Sequence, residues 1–95
     1  MRITAKHLKT RIDTLNTMTG NPTEYMTAGK CNPGHYYLSK QCGGYELHQV
    51  SNSGGGVRAI GNTGHIPARE LNLVITGMID ILYYTAQITA HSAKG

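Results

Sequence analysis

Charge is scarce in this sequence. Lys, Arg, Asp and Glu make up 15% of its 95 residues, against about 25% in ordinary globular domains. That excludes the highly charged form of disorder, and Thr, Ser, Asn and Gly fill the gap. The net charge is +4, a value many soluble domains carry for solubility alone. Arg2, Lys6, Lys9, Arg11, Lys30, Lys40, Arg58, Arg69 and Lys94 are scattered. They never form the run of five or six that marks a polybasic tail. Cysteine is also scarce. Cys31 and Cys42 are too few for a disulfide framework in a short chain. The opening MRITAKHLKTRIDTL holds no continuous apolar stretch after its charges, so no secretory signal is expected. Both cysteines therefore read as free thiols in a reducing compartment, although one bridge between them is geometrically allowed.

Catalytic and cofactor motifs are missing as well. Asp13, Glu24, Glu46, Glu70 and Asp80 lie far apart in sequence, which excludes an obvious carboxylate pair for acid–base work. Ser53-Gly54-Gly55-Gly56-Val57 lacks the G-x-G-x-x-G spacing, the lysine of a P-loop and a following helix. Cys31, His35, Cys42 and His48 could supply thiolate and imidazole ligands, but C-x3-H-x6-C-x5-H contains no paired clamp. Cys42 with His35 or His48 would set a nucleophile beside a base, with Gly43 and Gly44 freeing backbone N–H groups, yet nothing orients the imidazole. The sequence thus predicts no catalytic residue, no metal and no cofactor, in a protein that is not an enzyme.

What the chain does contain is a long apolar segment near its end. Residues 71–88 read LNLVITGMIDILYYTAQI, with Asp80 the one charge. Pro67 suits a first helical turn, because its missing N–H would have no partner there. Leu71, Val74, Ile75, Met78, Ile81, Leu82 and Thr85 recur at helical spacing, while Leu73, Tyr84 and Ile88 lie on a second flank. A helix with one covered face needs a stripe little more than 100° wide. This one is apolar over about two thirds of its circumference, so a partner is expected on the second flank. Self-association into a two-fold pair is the simplest. The expected interface is Leu73, Ile81, Tyr84 and Ile88. Asn72, Asp80 and Gln87 interrupt the segment too often for a membrane span.

The rest of the chain predicts an α+β domain over 1–95. A first helix over 4–18 takes Thr4 as its cap and Gly20 as its stop, with Ala5, Leu8, Ile12 and Leu15 as its inner stripe. Asn21-Pro22 and Asn32-Pro33-Gly34 mark turns, and 23–28 reads as a short edge strand or extended chain. Strands are expected over 35–40, 45–51 and 57–60, the first two joined by a glycine-bearing hairpin turn. The result is a three-stranded antiparallel sheet flanked by an N-terminal helix and a longer C-terminal helix, in α-β-β-β-α order, with a frayed tail over 89–95. Double-stranded-RNA-binding domains share that order, but here the last helix opens with a single arginine, Arg69. A nucleic acid remains the second candidate partner. Tyr36, Tyr37 and Tyr45 would stack bases, and Lys6, Lys9, Arg11, Lys40 and Arg58 would take phosphates.

Read together, Gly34-His35-Tyr36-Tyr37-Leu38, Gly43-Gly44-Tyr45-Glu46-Leu47, Gly54-Gly55-Gly56-Val57 and Ala68-Arg69-Glu70-Leu71 resemble small, uncharacterised bacteriophage and prophage proteins of unknown function. The resemblance covers most of the chain. It implies phage origin and the cytoplasm of a host cell, with a phage or host protein as a further partner. It implies no binding or catalytic residues.

Overall fold

The computed structural model describes the backbone of residues 2–94 and the side chains of residues 2–87. Expectations for the Ile88 side chain and for fraying over 89–95 therefore lie outside the described residues.

Helix α1, Ala5–Thr19, begins and ends where local chemistry dictates. The Thr4 hydroxyl accepts from the His7 backbone N–H, and His7 Nδ1 accepts from the Thr4 N–H at 3.1 Å. This is a reciprocal cap in which a histidine takes the place of the usual Glu or Gln. Gly20 closes the helix with φ 71, a left-handed conformation that glycine adopts without a side-chain penalty. Leu8, Ile12 and Leu15 are buried along one side.

Two short strands follow, β1 (Met26–Thr27) and β2 (Lys30–Cys31), paired across an Ala28-Gly29 turn. The principal sheet comprises β3 (Tyr36–Gln41), β4 (Gly44–Val50) and β5 (Val57–Ala59), all antiparallel, with β4 in the centre. A two-residue turn, Cys42-Gly43, joins β3 to β4, and both residues have positive φ. Two consecutive left-handed residues match the natural twist of a hairpin. After β5 the chain returns to β4, where Tyr45 and Ile66 exchange both backbone hydrogen bonds at 2.7 and 2.9 Å. Helix α2 then runs Ala68–Lys94.

Strand alternation divides the sheet. Tyr36, Leu38, Tyr45 and Leu47 face the helices and join Leu8, Ile12, Leu15, Leu71 and Ile75 in one core. Tyr37, Ser39, Glu46 and His48 take the opposite face, as their register requires. The expectation that Tyr36, Tyr37 and Tyr45 form one stacking platform is therefore corrected. Tyr36 and Tyr45 pack beneath the helices, and only Tyr37 turns outward.

A polar clamp fixes α1 to the sheet edge. Asn16 is fully buried. Its Oδ1 accepts from the Tyr36 N–H at 2.8 Å and its Nδ2 donates to the Tyr36 carbonyl at 3.0 Å. The side-chain amide thus pairs with the edge of β3 as a neighbouring strand would, and satisfies two backbone groups that burial would otherwise penalise.

Candidate functional site

Two features of the surface stand out from ordinary packing, one on α2 and one on the helix-free face of the sheet. On α2, Leu71 and Ile75 are buried and Val74, Met78, Ile79 and Leu82 half-buried. Ile81 and Thr85, expected on this inner stripe, are exposed instead. The body of the domain ends before α2 does. Residues 83–87 are exposed at every position, so nothing remains there to cover the inner stripe. On the outward side, Leu73, Ile81 and Tyr84 are 67%, 67% and 66% exposed. Spacings of eight and three residues keep them on one flank. Gly77 lies between Leu73 and Ile81 on that flank, and a Cβ placed there would meet nothing within 4 Å.

The second feature is a group of rings and one carboxylate. β3 supplies Tyr37 and Ser39, β4 supplies Glu46 and His48, and the chain just before α2 supplies His65. The Tyr45–Ile66 pairing fixes His65 beside Glu46, because neighbours in an antiparallel pair share a face. Gly44 permits that approach: a Cβ there would come within 2.8 Å of the His65 backbone. Glu46 Oε1 accepts from His48 Nε2 at 2.8 Å and lies 3.9 Å from His65 Nδ1. Its side chain is 9% exposed, against 18% for His48 and 21% for His65. The other nitrogen of each imidazole meets a hydroxyl. His65 Nε2 is 2.9 Å from Ser39 Oγ, and His48 Nδ1 is 3.4 Å from the Tyr37 hydroxyl.

The ring row continues from His48 through Tyr37 to Tyr25 and His35, with ring centres 5.4–6.3 Å apart. Burial pushes the Tyr37 phenol above its ordinary 10.0, and the Cys31 thiolate adds to the rise. Tyr25 is raised too, first through a hydrogen bond with Cys31 and then by that thiolate's charge.

Chemically, Ser39, His65 and Glu46 stand in the order hydroxyl, imidazole, carboxylate. They do not form a nucleophilic triad. The 3.9 Å gap exceeds hydrogen-bond reach, and the carboxylate's short contact goes to His48. Among the described residues, Glu46, His48 and His65 are instead the group whose ligand atoms lie close enough to share a cation.

The quartet considered from sequence is not brought together. Cys31 is buried near Tyr25, and His35 is buried with Nδ1 2.9 Å from the Pro22 carbonyl. Cys42 is exposed at the tip of the β3–β4 turn, at the opposite end of that hairpin from His35. Cys31 and Cys42 remain separate thiols. His65 escaped notice in the sequence because its place depends on a pairing between residues 45 and 66 that no local pattern records.

The five basic residues come from three elements: Lys6, Lys9 and Arg11 from α1, Lys40 from β3 and Arg58 from β5. Lys6, Lys9, Arg11, Lys40 and Arg58 are all exposed. Lys9 lines a groove between α1 and β3, whereas Arg11 lines one between α1 and α2. Lys40 lies 5.9 Å from the centre of the Tyr45 ring. Arg58 donates to Gln49 Oε1 at 3.1 and 2.7 Å. Comparison with known proteins finds no matching family model, curated protein or solved structure. Among the described residues, no helix is long and apolar enough to cross a membrane.

Proposed function

We propose that this chain is a non-enzymatic small phage protein that acts in the host cytoplasm by associating with itself, through the outer flank of α2. The observation that carries the reading is the exposure of Leu73, Ile81 and Tyr84 to about two thirds each, aligned on one flank. Those three side chains present roughly 400 Å2 of largely apolar surface, within the range of a monomer's largest patch, which is commonly an interaction site. Paired across a two-fold axis they would bury about 800 Å2 in total, before any backbone or rim contribution. That falls below the roughly 1,200 Å2 of standard specific interfaces, in the range of weak, transient pairs, so the pair is reversible and concentration-dependent.

Gly77 supports a second copy as the occupant. A glycine inside a helix costs about 1 kcal/mol relative to alanine. Open space above it on an apolar flank lets another helix approach closely, and two copies of the same flank offer matching glycines. Asp80 is the one charge in the middle of the helix, so like-charge repulsion across such a pair is slight.

Sedimentation velocity over a hundredfold range of concentration tests the proposal. The weight-average mass should rise from one chain toward two, and Leu73→Ser with Ile81→Ser should hold it at one chain. Both positions are solvent-exposed, so the native circular dichroism should persist. A parent protein that stays monomeric throughout refutes the reading.

A further inference from the structure

We propose that Glu46, His48 and His65 form a binding site for a divalent transition-metal ion of the zinc class, on the sheet face opposite the helices. The proposal is independent of self-association through α2. Two imidazoles and one carboxylate are a familiar three-ligand set for zinc that leaves a coordination position open. The mixed nitrogen and oxygen donors disfavour calcium and magnesium, which prefer oxygen alone.

The placement fits. One atom from each residue lies within 4.8 Å of the other two. A tetrahedral ion with bonds of about 2.0–2.1 Å would hold such atoms roughly 3.3 Å apart. The 2.8 Å His48–Glu46 contact and the 3.9 Å His65–Glu46 separation bracket that value. Small side-chain rotations would reach it, with backbones that three paired segments already fix.

A simple ion pair between Glu46 and His48 leaves half of the arrangement unexplained. His65 also turns Nδ1 toward the same carboxylate oxygen, while Ser39 Oγ holds its Nε2. The Tyr37 hydroxyl faces the remaining nitrogen of His48. Each imidazole thus has one nitrogen toward the common point and a hydroxyl oxygen to receive the proton on the other. Histidine ligands use such partners to fix tautomer and ring orientation. Both histidines keep about a fifth of their side-chain surface exposed, so an ion could enter from solvent.

The test uses the full chain carrying Cys42→Ser, which removes the exposed thiol as a competing ligand. Chelator-stripped protein is titrated with Zn2+ against a chromogenic chelator, and in parallel with Co2+ followed by visible absorption. One ion per chain is expected, with the intensified cobalt bands of low coordination number. His48→Ala and His65→Ala should each weaken affinity at least tenfold. Ser39→Ala and Tyr37→Phe should weaken it by a smaller factor, and His7→Ala should leave it unchanged. Should either alanine variant lose its native amide spectrum, zinc-induced shifts of the His48 and His65 ring nitrogens in the parent decide the matter. Absence of those shifts, binding that survives His65→Ala undiminished, or no competition with the chelator overturns the proposal.

Discussion

Gly44→Ala should damage this protein far more than its conformation suggests. Gly44 does not need glycine's backbone freedom, since its φ lies outside the left-handed region. Its constraint is space. The added methyl would sit 2.8 Å from both the carbonyl carbon and the oxygen of His65, and 3.0 Å from its Cβ. Backbone cannot rotate away as a side chain can, so the 65–66 segment must lift off β4. The Tyr45–Ile66 pair then loses two backbone hydrogen bonds, each worth about 1 kcal/mol net. Residual overpacking adds roughly 1–2 kcal/mol. The total is about 3–4 kcal/mol, which for a domain of this size lowers Tm by roughly 12–32 °C. Gly43→Ala is the matched control. Its neighbourhood is empty, but φ is 78, so only conformational strain of about 1–2 kcal/mol applies. Urea unfolding at constant m-value measures both. Nitrogen shifts of the His65 ring should move in Gly44→Ala and hold in Gly43→Ala. A Gly44→Ala cost below about 0.5 kcal/mol, the range of an unconstrained surface change, would show that the 65–66 segment does not pack on β4.

Other consequences follow from single contacts. Asn16→Ala leaves the Tyr36 N–H and carbonyl without their partner at a buried sheet edge, and chemical denaturation should show a loss of about 2–4 kcal/mol. Asn16→Leu should not rescue it, because volume does not replace the two hydrogen bonds. Cys42→Asn should stabilise by about 0.5–1 kcal/mol, since Cys42 holds φ 52 in a turn that favours Asn-Gly, and thermal melting in reductant reads the gain. Tyr25 and Tyr37 should titrate late in phenolate absorbance, and Cys31→Ser should bring both down by removing the thiolate charge. Raised folded-state values also set the sign of the pH effect. The stabilisation is complete below pH 10, the ordinary phenol value, and is lost as pH climbs through the higher folded-state values. Tyr37→Phe should flatten part of that alkaline decline.

Much of the architecture was legible because its signals are local. Thr4 and Gly20 bracket α1 one residue from where the structure ends it, and the apolar spacing of Leu8, Ile12 and Leu15 picks out its buried side. The β3–β4 hairpin shows in its strand-rich residues around a glycine turn. β1 falls inside the 23–28 stretch that reads as a short edge strand or extended chain, whereas β2 could not show, because a strand of two residues carries no period. Asn16 sits one step beyond the Leu8–Ile12–Leu15 stripe, where an amide reads as a polar edge until the strand it clamps is known. Tyr36 and Tyr37 are adjacent in sequence, so pleating alone sends them to opposite faces and breaks the stacking surface that composition suggested. Helix width was overestimated at Ile81 and Thr85 because the domain beneath α2 is shorter than the helix. Periodicity finds an apolar side but not where its cover stops.

The two proposed sites should behave as separate devices, and their geometry says why. The α2 flank turns away from the core, whereas the histidine–carboxylate group lies beneath the opposite face of the sheet. A helix layer and a sheet, packed about 10 Å apart, intervene. Sites at such separation with no shared partners are additive within about 0.3–0.5 kcal/mol. One covalent route joins them. His65 is followed directly by Ile66 and Pro67, and the Pro67 carbonyl accepts from Glu70 and Leu71 in the first turn of α2. An ion drawing His65 toward Glu46 would pull on that turn. Leu71 resists the pull, being fully buried in the core that also holds Leu8, Leu15 and Leu47. A cycle combining His65→Ala with Ile81→Ser, read by sedimentation with and without Zn2+, therefore should show independent effects. A coupling above about 1 kcal/mol would mean that the Leu71 anchor yields and that the start of α2 transmits displacement along the helix.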